Sequence, residues 1–600
     1  IATHDKKMYF EGNTKNFAKI PGTPIAYWAS EKIYRAFQVG NGLGGIANPK
    51  KGLATTDNNR FLRLWYEVAL DKIGIGYKNN FLAQCSKKKW FPLNKGGAFR
   101  RWYGNKEYMV NWYHDGYEMK DAIVKRYHGG SYTKEIRSEN KYFQDSITWS
   151  ALTAGKSSFR FSDYGALFDS AGSSMFSEKH QYIIALLNVK VVDYILKMIN
   201  PTLNYGAGAI SAIPIIQNEA NYDRIIYLSK ENIAISKQDW DSFETSWDFR
   251  FHPLLAAGSN PSSVEAGTLN QSPALLRADK EIRLAAAYAD FQQACEERFT
   301  QLKANEEELN RVFIDIYGLQ EELTPEVADK DVTVARIYDT KEGISDSMKG
   351  NSYVLTKADV VKSLLSYAVG CMFGRYSLDM AGLVFAGGTF DMSNYTAFQP
   401  DEDNVLPVTD EDYFYDDIVG RFVEWMKAAF GKENLEENLA FIADALGTNG
   451  TGSRDSIRTY FLKDFYKDHV RTYKKRPIYW LYDSGRKNGF KALIYMHRYD
   501  ADTTGRVRID YLHRMERTYE TEIQRMTSDI DHDDNAREIA KATKRRDKLQ
   551  KQLKECQEYD EQISAPALAR INIDLDDGVK VNYEKAQTVK DKTYQMLAKI

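Results

Sequence analysis

The chain has 600 residues, 27% of them charged and 43% hydrophobic. That is the composition of a folded protein with more than one core, not of a disordered chain. Formal net charge is −2, so the chain as a whole is no polycation and any nucleic-acid surface must be a local patch. Cys85, Cys295, Cys371 and Cys556 stand far apart with no CxxC pair, which argues against a zinc ribbon and a disulfide framework and suits a reducing, cytoplasmic setting. No apolar run is long enough to span a membrane, and no signal peptide is visible. The first residue is Ile1 and the opening reads as mid-domain sequence. The chain is therefore expected to be a fragment, with residues 1–50 the tail of an upstream domain or a linker.

Residues 51–216 combine glycine, aromatics and short β-type runs such as 145–149 and 158–161. Turn signals at Lys95-Gly96-Gly97, His114-Asp115-Gly116 and His128-Gly129-Gly130 separate them. Asp57 could cap a helix running through Phe61, Leu64, Trp65 and Val68, and a second helix is expected from Gln181 to Met198. The segment reads as a mixed α/β domain. From Ser272 to about Tyr317 the sequence is rich in Ala, Glu and Arg and nearly free of Gly and Pro, which predicts long helices. Further helices are expected near 357–373, 412–446 and 453–473, with loops over 374–411, so 217–505 reads as a helical scaffold. In 506–600, Leu512, Met515, Tyr519, Ile523, Met526 and Ile530 recur at spacings of 3 and 4. The spacing returns after Asp531–Asn535 at Ile539, Ala542, Leu549, Leu553 and Cys556. This predicts an antiparallel helical hairpin with a coiled-coil seam, packed internally or serving as a strut or docking arm. The fold class is α+β: a mixed recognition domain followed by a mostly helical region ending in that hairpin.

Several motifs match a known site only in part. Ala154-Gly155-Lys156-Ser157 resembles the end of a phosphate-binding loop, but Ser150 stands where the pattern needs glycine. The nine histidines form no HExxH motif and no zinc-spaced cluster, so no metal site is expected; His497 and His513 are read as structural or surface residues. Asp115 or Asp121 with Glu139-Asn140-Lys141 matches a metal-dependent nuclease pattern only formally. Transfer of a methyl group to adenine needs a glycine-rich turn for S-adenosylmethionine and an Asn/Asp-Pro-Pro-aromatic loop around a flipped base. The nearest stretch, Asn200-Pro201-Thr202-Leu203, lacks the second proline and the aromatic. No catalytic residue is therefore assigned in this chain.

One stretch carries a signal. Residues 85–106 hold Lys87, Lys88, Lys89, Lys95, Arg100, Arg101 and Lys106 with no acidic residue among them, interleaved with Trp90, Phe91, Phe99, Trp102 and Tyr103. Cations neutralise phosphates, arginine also reads guanine edges, and aromatics support displaced bases. Gly96-Gly97 would let a phosphate approach the backbone closely. The alternative is a solvated basic face over core aromatics. Thr55-Thr56-Asp57-Asn58-Asn59-Arg60 is a second polar cluster, suited to base edges and sugar–phosphate oxygens or simply to capping a helix. The candidate DNA-binding residues are thus Thr56, Asn58, Asn59, Lys87, Lys88, Lys89, Lys95, Arg100, Arg101 and Trp102.

At these residues a resemblance becomes specific. Residues 52–65 (GLATTDNNRFLRLW) and 89–105 (KWFPLNKGGAFRRWYGN) resemble successive blocks of the BREX phage-defence adenine-specific DNA methyltransferases, the PglX family. Blocks at 147–150, 165–169, 186–190, 199–204, 305–319, 370–378, 476–481 and 574–583 follow in the same order. The family usually has Thr-Gly-Asp-Asn where this chain has Thr55-Thr56-Asp57-Asn58, so if that glycine needs a positive φ the loop here must differ. The resemblance implies site-specific adenine-N6 methylation with S-adenosylmethionine bound in a missing upstream domain. It makes this chain the C-terminal, DNA-reading part. The implied partners are double-stranded DNA and other BREX proteins. Two alternatives stand beside it: the specificity half of a fused restriction-modification enzyme, and a non-enzymatic nucleic-acid-binding scaffold.

Overall fold

The computed structural model describes residues 17–26, 28–153, 155–200, 202–256, 281–532 and 534–600. They form two compact units. The first takes in residues up to 65, 72–241 and 293–355; the second comprises 66–71, 242–292 and 356–600. Both combine helices with small sheets, so the architecture is α+β.

The first unit is built round two sheets. In the larger, strands run in the order Leu62–Leu64, Tyr108–Asn111, Trp90–Asn94 and Leu167–Phe168. The first three pair antiparallel, with Leu62 and Phe91 both opposite Val110, and the last pairs parallel through Leu93 and Leu167. Every residue of Trp90–Asn94 is buried, as a strand covered on both faces requires. The smaller sheet orders Phe159–Ser162, Ser146–Trp149 and Ser174–Met175, all antiparallel. The strand-like runs at 145–149 and 158–161 are therefore paired with each other.

Two helical expectations change here. The helix capped by Asp57 lasts only Asn58–Phe61 before the chain extends into Leu62–Leu64, where all three residues are buried in a paired strand with side chains alternating between its two faces, which one helix face could not supply. The expected helix 181–198 is two helices, His180–Leu187 and Lys190–Ile199. Asn188 breaks it: its side chain accepts from the Phe159 N–H at 3.0 Å and donates to the Phe159 carbonyl at 3.0 Å. That exchange completes the backbone pairing of a strand edge, competing with helix propagation. The change of character after Ile216 does not divide the units. Ile225 and Leu228 of helix Tyr222–Asp241, and Phe299, Leu302, Leu309 and Phe313 of helix Leu284–Tyr317, share a core with Ile183–Leu187. The expected start of that long helix, 272–280, lies outside the described residues.

The second unit contains helices Lys357–Met372, Ile418–Phe430, Leu435–Leu446 and Ser453–Tyr460. Thr356 and Asp359 form a reciprocal capping box that starts the first of them. Residues 374–411 are mostly loop, as expected. The segment expected to be helical up to 505 instead carries an antiparallel strand pair, Tyr479–Asp483 with Lys491–Tyr495. Strand Leu406–Pro407 pairs with the second of these. The hairpin is formed by helices His513–His532 and Ala536–Ala569; Asp533 of its turn lies outside the described residues. Its seam residues Met515, Tyr519, Leu549, Cys556 and Tyr559 belong to one core with Trp480, Tyr482 and Ile494 of the strands. The hairpin is thus anchored on a sheet rather than packed only on itself.

Candidate nucleic-acid interface

The polar loop 55–60 lies at the surface of the first unit. Asp57 is the helix cap, its carboxylate accepting from the Arg60 N–H at 3.1 Å. Asn58 and Asn59 are exposed. The Thr55 hydroxyl donates to Asn58 Oδ1 at 2.5 Å, which orients the amide and leaves its NH2 group turned from that bond. Thr56 has φ +60°, the left-handed conformation that a β-branched residue rarely adopts. The conformation a glycine would favour is therefore kept here with a threonine in it. Arg126 donates to the Thr56 carbonyl at 3.2 Å, and Arg60 pairs with Glu118 at 2.7 Å. Both partners come from segment Tyr113–Arg126, so that segment buttresses the loop.

Segment Tyr113–Arg126 opens with the expected turn in an unusual form. His114, Asp115 and Gly116 all have positive φ, one left-handed turn in succession. A Cβ on Gly116 would lie 2.6 Å from the Trp112 ring, so glycine is required there for space as well as for φ. The turn leaves Tyr117 70% exposed, and Phe81 on the neighbouring helix Asn80–Cys85 is 71% exposed. In the sequence this stretch reads only as a turn. The signal for more is the pair of tyrosines flanking His-Asp-Gly.

The basic stretch 85–106 does not stay together. Lys87 is exposed, with Lys88 and Lys89 half-buried beside it. Lys95 is held by Asp169 at 2.8 Å, and Lys106 by Asp163 at 3.1 Å. Burial raises the Asp169 carboxyl above its usual range, against the pull of Lys95.

Arg100, Arg101 and Trp102 are only 3%, 5% and 0% exposed, and this corrects their expected role in reading DNA. The Arg100 guanidinium donates to Asp239 at 2.9 Å and to the Tyr103 carbonyl at 2.8 Å. Arg101 meets Glu306 at 3.1 Å and Asp193 at 3.7 Å, while the Trp102 indole N–H donates to Glu306 at 2.7 Å. Burial works against the charge on Arg101, but Glu306 and Asp193 outweigh it and keep the guanidinium protonated above its ordinary range. These donors are taken up inside the unit and Trp102 is core, so the arrangement braces the fold instead of facing a base.

Lys156 donates to Asp331 at 2.6 Å and Ser157 to Asp193 at 2.7 Å, which occupies the groups a phosphate would need; Ala154 lies outside the described residues. Asp115 and Glu139 do converge, but on Lys120, at 2.7 and 2.6 Å. An ammonium stands where a nuclease would bind its cation. Lys141 is instead over the Phe176 ring. Among the described residues, no group of three His, Cys, Asp or Glu is arranged to hold a metal, and no helix is long and apolar enough to cross a membrane. Asn200 donates to the Asn204 carbonyl at 2.6 Å and accepts from the Thr202 N–H and hydroxyl at 3.2 and 2.6 Å. Both ends of its amide are engaged in a local turn, so it does not fit the role of binding an adenine amino group; Pro201 lies outside the described residues. His497 is buried against the Val68 carbonyl, and His513 bonds Asp560 at 2.9 Å.

No protein-family profile matches the chain. It is 40% identical, over 587 residues and 95% of its length, to the adenine-specific methyltransferase PglX of Lacticaseibacillus casei (strain Zhang). It is 34% identical, over 596 residues and 96% of its length, to the adenine-specific methyltransferase BrxX of Escherichia coli O9:H4 (strain HS). The chain covers 45% of each of those proteins, so it spans somewhat less than half the length of the curated relatives it matches.

Proposed function

We propose that this chain is the C-terminal, target-recognition part of a BREX-type adenine-specific DNA methyltransferase, and that its first unit reads the DNA site. The observation that carries this is the identity along nearly the whole chain to slightly less than half of two proteins named as adenine-specific methyltransferases. In this reading S-adenosylmethionine is bound by the rest of a longer protein. Asn200, whose amide is engaged in a local turn, does not fit methyl transfer.

The reading surface is the loop Thr56–Arg60. Asn58 and Asn59 present amide groups of the kind that pair with adenine edges. Lys87 and Lys88 supply point charges for phosphates, which position a duplex without reading it. Arg100, Arg101 and Trp102 hold the scaffold beneath.

The test is fluorescence anisotropy of the chain with duplexes that contain, or scramble, the site methylated in cells expressing the longer protein. Binding the site at least about tenfold more tightly, equivalent to ~1.4 kcal/mol, is expected, with Asn58→Ala and Asn59→Ala reducing that preference. Equal affinity for both duplexes and for RNA would favour a scaffold. Methyl transfer from labelled S-adenosylmethionine by residues 1–600 alone would overturn the division of labour.

A further inference from the structure

The second helix of the hairpin, Ala536–Ala569, is strongly polarised in its first half. Between Arg537 and Lys554 it carries eight lysines or arginines and only two acids, Glu538 and Asp547, in a chain whose net charge is −2. The distribution follows the helical repeat. Leu549, Gln552 and Cys556 are buried toward the sheet. Arg537, Lys541, Lys544, Lys548 and Lys551, at spacings of 4, 3, 4 and 3, are all exposed. At ~100° per residue these five form one stripe, running from roughly 80° to 160° round the helix from Leu549.

Two kinds of cation are present on this helix. Arg545 is bonded to Glu411 at 2.6 and 2.8 Å, and Lys548 to Asp410 at 2.6 Å; these tie the helix to the loop 410–412. Arg537, Lys544 and Lys551, each seven residues from the next, have no carboxylate partner among the described residues. Lys541 has only Glu538, at 3.7 Å and largely in solvent. A helix stabilised merely by surface pairs would interleave the two signs along one face. Here neither Glu538 nor Asp547 falls within the stripe. The other acids of this helix, Glu555, Glu558, Asp560 and Glu561, lie beyond the ridge, and on the hairpin's first helix Glu516, Glu520, Glu522, Asp529 and Asp531 are mixed with Arg514, Arg517 and Arg525. The ridge is about 21 Å long at ~1.5 Å per residue, and duplex DNA presents roughly a dozen phosphates over that length of axis.

We infer that Arg537, Lys541, Lys544 and Lys551 form a second, sequence-independent contact with the phosphate backbone of duplex DNA. The choice of DNA as the polyanion rests on the proposed target-recognition function; the ridge itself is defined by its charge and exposure. A lysine-dominated ridge suits phosphates, which need charge, more than base edges, which need forked donors. Its role is to add affinity, equally for every sequence.

The experiment compares the full chain with the variant R537A/K541A/K544A/K551A, by anisotropy over a salt series. Cognate and scrambled duplexes are each used with short and extended flanks. Circular dichroism confirms folding, and the charge-preserving K541R/K544R/K551R serves as a second variant. The expected result is an equal loss of affinity on both sequences, larger on the extended duplexes. The salt slope should fall by about 0.9 for each phosphate that is no longer neutralised, and the arginine variant should match wild type. A folded alanine variant with unchanged affinity and slope, while wild type still prefers the cognate duplex, overturns the ridge and leaves the target-recognition reading intact. Loss of sequence preference with unchanged salt slope also overturns it. If wild type binds no duplex DNA at all, both readings fall.

Discussion

Replacing Arg101 with alanine separates a structural role from a DNA-reading one by sign and size. Glu306 is 2% exposed and receives Arg101 and the Trp102 indole. Burial already pushes its carboxyl above the usual range, and Arg101 is the largest opposing influence. Removing Arg101 leaves that carboxylate with one neutral donor in a desolvated site, and breaking a buried pair from one side costs about 3–5 kcal/mol. An exposed arginine that reads a guanine would behave differently. Its loss would cost ~1–3 kcal/mol of cognate binding and almost nothing in stability. The assay is urea and thermal unfolding of wild type, R101A, E306Q and the volume-matched R101M/E306Q. R101A should lower the first unit's thermal midpoint by on the order of 10 °C. The double variant should recover most of this, because it removes the charge that was left unpaired. If R101A unfolds with wild-type stability and relaxes sequence preference, Arg101 is a reader and its buried pairing is not its function.

Thr56→Gly should stabilise the first unit by about 0.5–1 kcal/mol: relief of a left-handed L-residue is worth ~1–2 kcal/mol, offset by ~0.5–1 kcal/mol of glycine entropy. A lower denaturation midpoint for T56G would mean that the threonine side chain is a packing element. Acidification should weaken the second unit. Burial lowers His252, His469 and His497 to about 3 from 6.5, so the unfolded chain binds more protons between those values. Their contribution is complete above pH ~6.5 and is lost as pH falls toward the folded pKa, at up to ~1.4 kcal/mol per unit for each histidine. Denaturant midpoints of the second unit that do not change between pH ~7.5 and ~5 would refute this.

Elements whose signal is periodic are readable from sequence. The hairpin seam at Leu512–Ile530 and Leu549–Cys556 needs only local spacing, and it is found where the spacing puts it. The strand pair Tyr479–Asp483 and Lys491–Tyr495 is also signalled, by two short apolar runs bearing aromatics with Gly485 and Asn488-Gly489 between them. The connection is the seven-residue loop 484–490, in which Asn488 takes φ +54°, a conformation asparagine tolerates better than most residues. The surrounding helix-rich composition points the other way and masks it. The helix expected over 181–198 fails for a reason no local pattern contains: Asn188 is committed to the backbone of Phe159, 29 residues earlier.

The candidate site divides along the same line. Loop 55–60 is polar, short and capped by its own Asp57, so its exposure follows from local chemistry. The basic stretch 85–106 is different, because the absence of acids within it says nothing of acids brought to it. Asp193, Asp239 and Glu306 come from three separate helices, and each meets a cation that looks unpaired in the sequence. Arginine flanked by tryptophan is equally the pattern of a base reader and of a buried ion pair under aromatic cover. The strand before it decides between them: Trp90–Asn94 is a central strand with both faces buried. The chain that leaves it passes Gly96-Gly97, where Ser150 accepts from the Gly97 N–H at 3.0 Å, and turns inward. Arg100–Trp102 therefore enter the core already committed to desolvation, and only carboxylates delivered by distant helices make that burial tolerable. Lys87, upstream of the strand, is not carried inward and keeps its charge at the surface.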